Sequence, residues 1–185
     1  IAFIALLWAI WLAELLCAHL LAWDMVHALG LLPRNVEGID GIFLSHLLHD
    51  PSGVAHIIAN SIALLITGTA AFWYSRTLAL WALAWSSLCA GVFTWIVAPA
   101  HEVHVGASGA IFGLIAFLIG NGLWRKGWVP PFLALLTLLV YGGSWTLLLP
   151  AFGSAAEQQV SWQMHLGGFI GGLLTSWKLR QRPTG

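Results

Sequence analysis

The chain has 185 residues, of which 59% are hydrophobic and only 8% charged, with 12 tryptophans and a formal net charge of zero. Its mean hydropathy of +0.87 is far from that of a soluble domain and reads as an integral membrane protein. With no basic tail, charge block or low-complexity run, nucleic acid is not an expected partner; partners belong to the bilayer.

The chain opens on Ile1 and is apolar at once, so the expectation is a fragment lacking a cytosolic start. A cleaved signal peptide is not expected, because the first run has no charged leader and no clear small-residue cleavage site. A helical span needs about 20 apolar residues, since the hydrocarbon core is roughly 30 Å thick and each residue rises about 1.5 Å. Six segments meet this, approximately 1–23, 53–73, 77–98, 106–123, 128–149 and 163–177. The predicted fold is therefore all-α, a single polytopic domain over 1–185 with six transmembrane helices.

The first span contains Glu14 midway, for which a bond to a neighbouring helix or to water is the plainer expectation and the orienting of a histidine, as an aspartate does in a triad, the alternative; His19 shortly after it reads as an interfacial or interior packing residue. The longest connection, Asp24 to Ser52, is broken by Gly30, Pro33, Gly38, Gly41 and Pro51, and apolar stretches such as GIFLSHLL suit the membrane interface. The second span opens with SGVAHIIANSIALL, in which His56 and Asn60 are four apart and share a helix face. The fourth opens with GASGAIFG, carrying Ser108, and the sixth with QMHLGGFIGG, carrying His165. The fifth holds Pro130 and Pro131 near its start and an interior Gly142, Gly143 and Ser144, a weak run that permits bending or is ordinary membrane-helix irregularity. Cys17 and Cys89 sit in apolar runs and read as packing residues.

Orientation follows from the basic residues. Arg76, Arg125, Lys126, Lys178, Arg180 and Arg182 fall on one side, and only Arg34 on the other. The positive-inside rule makes the first side cytoplasmic, together with both ends of the six-span unit. Asp24, Glu37, Asp40, Asp50, Glu102 and Glu157 then fall in outer loops, and seven tryptophans lie near span ends. Spans two, four and six all enter from the outer side, so their polar openings share one depth, a short way below the outer surface.

That coincidence points to a site. A serine hydroxyl is a poor nucleophile until a base takes its proton, and histidine is the usual base; Ser108 and His165 supply the pair. Attack on a carbonyl builds a negative oxygen that needs preorganised donors, and Asn60, His56 and the Ser108 backbone N–H are available. Gly109 with Gly113, Gly167 with Gly171 and Gly168 with Gly172 are small-xxx-small pairs that let helices approach closely. His165, Gly168 and Gly172 share one face, so close packing of that face aims the imidazole at a neighbour.

HIIAN in the second span, GASG at the head of the fourth and HLGGFIGG in the sixth, in that order, resemble the rhomboid intramembrane serine proteases. The likeness runs from about Ser45 to Arg180. It implies a six-helix rhomboid-like bundle with Ser108 as nucleophile and His165 as general base. His56, Asn60 and the Ser108 N–H would form the oxyanion hole, with Gly106, Gly109, Phe112, Gly168 and Gly172 in support. It further implies transmembrane protein substrates cut near the outer face, no metal or organic cofactor, and a bacterial inner-membrane location. Phe112 stands where many relatives have a tyrosine stacked on the histidine, and the Trp-Arg pair often found before the second span is missing.

Other chemistries fit less well. HEVHV is not the zinc motif H-E-x-x-H, and GASGA is not the elbow G-x-S-x-G. His46, His49, His101 and His104 leave a metal or proton transporter as a rival, without a cysteine or carboxylate to complete a ligand set. An inactive rhomboid-like binder of membrane segments is the other alternative.

Overall fold

In a computed structural model of the chain, residues 1–149 and 160–183 are described. Glu157, expected in an outer loop, lies outside them. The described residues are helical, without strands; Leu31 and His104 form one isolated antiparallel bridge. The helices are α1 (Ala2–Leu21), α2 (Met25–Leu29), α3 (Gly41–Leu44), α4 (Val54–Tyr74), α5 (Arg76–Val97), α6 (Ser108–Trp124), α7 (Val129–Tyr141) and α8 (Trp162–Lys178).

Among the described residues, four helical stretches are long and apolar enough to cross a membrane: Ala2–Leu21, Val54–Tyr74, Arg76–Val97 and Val129–Leu148. The other two expected spans correspond to α6 and α8, each 17 residues and so about 25 Å long. Within 129–148, the α-helix ends at Tyr141 and the chain tightens into a 3-10 helix over Gly142–Leu148. Two successive glycines weaken the α-helix at that point.

The center belongs to α6. Every residue from Gly109 to Leu118 is buried, as are Gly120 and Asn121, as expected of a helix that is apolar on all sides. Its neighbours are α4, α5, α7 and α8. The peripheral helix α1 buries only Leu7 and Glu14, one heptad apart on a single face. On the other faces of these helices many large apolar side chains are exposed, among them Leu16, Ile62, Leu80, Leu139 and Trp177. Such a surface suits lipid and not water.

Glycine sets the distance between α8 and its neighbours. A Cβ on Gly168 would overlap the carbonyl oxygen of Gly109, and one on Gly172 that of Gly113. Gly167 and Gly171 do the same for α5, where the obstacles are the backbone and Cβ atoms of Trp85, Ser86, Cys89, Ala90 and Phe93. The two glycine pairs of α8 therefore serve two different partners. By contrast, Gly142 has no atom within 4 Å of an added Cβ.

The segment between α1 and α4 is threaded back onto the bundle. Ile42 packs at Gly91 of α5, leaving no room there for a side chain. The His46 Nε2–H donates to the Ser87 carbonyl (2.8 Å), and the Gly106 N–H donates to the Ser45 carbonyl (2.8 Å).

Overpacking a tight core costs about 1–3 kcal/mol or more. Gly172→Ala is expected to lower the thermal unfolding midpoint in detergent by several degrees, whereas Gly142→Ala, which meets open space, is expected to leave it nearly unchanged.

Candidate functional site

The N-terminal ends of α4, α6 and α8 converge on one cavity of about 1250 Å³. Ser108, His165, His56 and Asn60 all line it, with Ala55, Ala59 and Ala63 forming a strip of small side chains along α4.

Ser108 is the first residue of α6, so its backbone N–H belongs to the first turn, where no intrahelical acceptor exists. Its hydroxyl lies 2.9 Å from His165 Nε2. His165 sits in the first turn of α8, one turn before Gly168, where that helix comes closest to α6. The other ring nitrogen, Nδ1, is 2.9 Å from the Leu147 carbonyl oxygen. A carbonyl oxygen only accepts, so Nδ1 carries the proton. The neutral imidazole then presents a bare Nε2 that accepts the Ser108 O–H. The Leu147 carbonyl thus sets the tautomer, the part an aspartate plays in a serine–histidine–aspartate triad.

The Phe112 ring stacks on the imidazole at 4.4 Å between centroids and 21° between planes. One turn of helix separates Phe112 from Ser108, so a single face of α6 holds the hydroxyl and one side of the ring.

Gly106 adopts φ +120°, a conformation L side chains rarely enter. A Cβ there would fall 2.9 Å from His56 Cε1 and 3.6 Å from Asn60 Nδ2. The strand of chain leading into Ser108 therefore runs directly against the two candidate donors of α4. The Asn60 Nδ2 also lies 2.9 Å from His49 Nε2, and the His49 and His56 rings are 5.1 Å apart.

Several contributors to this arrangement were not legible as such. The Leu147 carbonyl carries no side-chain signal at all. His46 and His49 stood out only as possible metal ligands, and they find the Ser87 carbonyl and the Asn60 amide instead. Among the described residues no three His, Cys, Asp or Glu side chains gather as a metal site. His101 is exposed. His104 is buried beside Glu102, with His104 Nε2 and Glu102 Oε2 3.5 Å apart. Glu14 accepts the His49 backbone N–H with both carboxylate oxygens, at 3.2 and 3.3 Å. His19 Nδ1 lies 2.9 Å from the Leu15 carbonyl oxygen of its own helix.

The rhomboid domain family model matches residues 37–182. An uncharacterized protein of Mycobacterium tuberculosis is 33% identical over 97% of this chain and 73% of its own length. An uncharacterized protein of Mycobacterium leprae is 30% identical over 97% of this chain and 69% of its own. YdcA of Bacillus subtilis, named as a candidate rhomboid protease, is 30% identical over 74% of this chain and 65% of its own. No solved structure matches the chain. The chain belongs to the rhomboid family, and its apolar helices make it an integral membrane protein.

Three loop histidines are held below their ordinary pKa by burial: His49 and His104 each down to about 4, and His46 in the same direction. Their unfolded value is about 6.5. Between these pH values the unfolded chain binds more protons, so stability is full above about 6.5 and declines as pH falls toward 4. Thermal unfolding in detergent is expected to shift to lower temperature from pH 7 to pH 4.5, and His104→Gln is expected to reduce that shift.

Proposed function

We propose that this chain is an intramembrane serine endopeptidase that cleaves transmembrane segments of other membrane proteins near the outer face. The observation that carries this reading is the Ser108–His165 hydrogen bond, with the tautomer set by Leu147, at the wall of a large cavity. His165 Nε2 takes the Ser108 proton as Oγ attacks the scissile carbonyl. His56, Asn60 and the Ser108 N–H donate to the oxygen that becomes negative. The imidazolium then gives its proton to the leaving amine, and water, activated by the same nitrogen, releases the acyl group. These groups complete the hydrolysis without a metal or organic cofactor.

In this reading the membrane domain has six spans, formed by α1, α4, α5, α6, the 129–148 stretch and α8. The short length of α6 and α8 has a physical reason. Their N-termini end at the cavity, and irregular backbone is tolerated at membrane depth where it lines such a cavity. The distribution of basic residues supports both ends of the unit facing the cytoplasm, and the mycobacterial relatives support a bacterial cell membrane. The 3-10 helix over Gly142–Leu148 supplies the carbonyl to His165 at the cavity edge, which ties the geometry of the base to the end of the fifth span.

The test is cleavage of a model transmembrane substrate by reconstituted wild type, Ser108→Ala and His165→Ala under a metal chelator, with fluorophosphonate labelling in parallel. Wild type is expected to cleave and to label at Ser108; each substitution is expected to lower the rate on the order of 10³-fold or more. A folded wild type that neither labels nor cleaves any of a panel of substrates overturns the reading and favours a membrane-segment binder.

A further inference from the structure

We propose that His49 is a positioning residue for the oxyanion hole: its Nε2 holds the Asn60 amide with one N–H turned to the cavity, and Glu14 of α1 anchors His49. This rests on the protease reading above and adds to it a buried support that reaches from the first helix to the reacting oxygen.

The contact between Asn60 Nδ2 and His49 Nε2 joins two nitrogens at 2.9 Å. An amide nitrogen only donates, so His49 Nε2 must be the bare acceptor of a neutral ring. The Asn60 amide has two N–H bonds. With one spent on His49, the other remains for an oxygen in the cavity that Asn60 lines. Were the amide rotated by half a turn, its own carbonyl oxygen would take that place, and a developing negative oxygen would meet repulsion instead of a donor. A bare His49 Nε2 at this distance therefore holds the amide in its donating orientation.

His49 is suited to this part. It is fully buried, and burial beside His56 keeps its pKa near 4, so the ring stays neutral and accepting at working pH. Its backbone is fixed independently. The N–H is bound by Glu14, itself buried on α1, and the next carbonyl, of Asp50, accepts from Trp11 Nε1 at 3.4 Å. Trp11 and Glu14 are one turn apart on α1, and Trp8 Nε1 from the same face donates to Ser61 Oγ of α4 at 3.0 Å. A helix that does not line the cavity thus holds both the loop bearing His49 and the helix bearing Asn60. This accounts for a carboxylate in the middle of an apolar span, an expensive placement that ordinary packing does not need.

The test compares kcat and KM for the full chain in detergent, using the model transmembrane substrate, with unfolding midpoints measured alongside. Asn60→Ala is expected to lower kcat on the order of 10²-fold, and His49→Leu roughly 10- to 100-fold, with KM changed by less than about threefold. His49→Gln retains an acceptor and is expected to recover kcat to within about fivefold of wild type. In an Asn60→Ala background, His49→Leu is expected to cost less than about twofold more, since the residue it positions is gone. Glu14→Leu is expected to lower kcat about 10-fold, while Glu14→Gln, whose amide oxygen still accepts the His49 N–H, keeps most activity.

Wild-type kcat in His49→Leu, or the same fractional loss with and without Asn60, overturns the proposal and reduces His49 to packing. If His49→Leu does not fold, the Glu14 pair decides: equal kcat for Glu14→Leu and Glu14→Gln overturns it. In all these cases wild type still cleaves and labels at Ser108, which separates this failure from failure of the protease reading itself.

Discussion

The carbonyl oxygens of Gly109 and Gly113 on α6 occupy the space where Cβ atoms of Gly168 and Gly172 on α8 would lie. Most of what is described above depends on that contact. Two helices with ordinary side chains between them pack with axes 8–10 Å apart, whereas a glycine face lets one backbone rest on the other. His165 stands one turn before the first of these glycines and Ser108 one residue before Gly109, so backbone contact brings the imidazole to 2.9 Å from the hydroxyl. The second glycine face of α8, Gly167 and Gly171, fixes the same helix against α5, which removes its freedom to rotate away.

Around this contact the polar groups of the buried interior are arranged by elements of low regularity. The loop between α1 and α4 places Ser45, His46 and His49 on Gly106, α5 and Asn60, and the 3-10 helix after Tyr141 presents the Leu147 carbonyl to His165. Burying a polar group without a partner is costly, and each of these contacts supplies one. The loop is therefore not a mere connection; its histidines and carbonyls satisfy groups that the helices alone leave open. The departure at Phe112 has little consequence for this arrangement. An aromatic ring stacks on His165 at 4.4 Å without a phenolic hydroxyl, since dispersion and ring geometry supply the contact.

Family membership and geometry bear on different questions. The match over residues 37–182 establishes the family, while the relatives with the greatest coverage are uncharacterized proteins and carry no activity across. The proposed activity therefore stands on the atoms of the cavity: a hydroxyl, a base of defined tautomer and donors on a facing helix.

Sequence alone determined the membrane class, the approximate helix bounds and the identity of the polar groups at the heads of α4, α6 and α8. Each of these rests on local properties, namely apolar run length and helical periodicity. It also singled out Gly168 and Gly172 as a packing face, because their spacing repeats with the helix. Tertiary structure decided the rest. Nothing in the spacing of His46 and His49 distinguishes ligands from buried partners of a carbonyl and an amide. Glu14 had no visible counterpart, because that counterpart is a backbone N–H 35 residues away. The tautomer of His165 depends on a main-chain oxygen, and every residue has one. Contacts between distant segments that use backbone atoms leave no mark in residue identity, so only the folded arrangement reveals them.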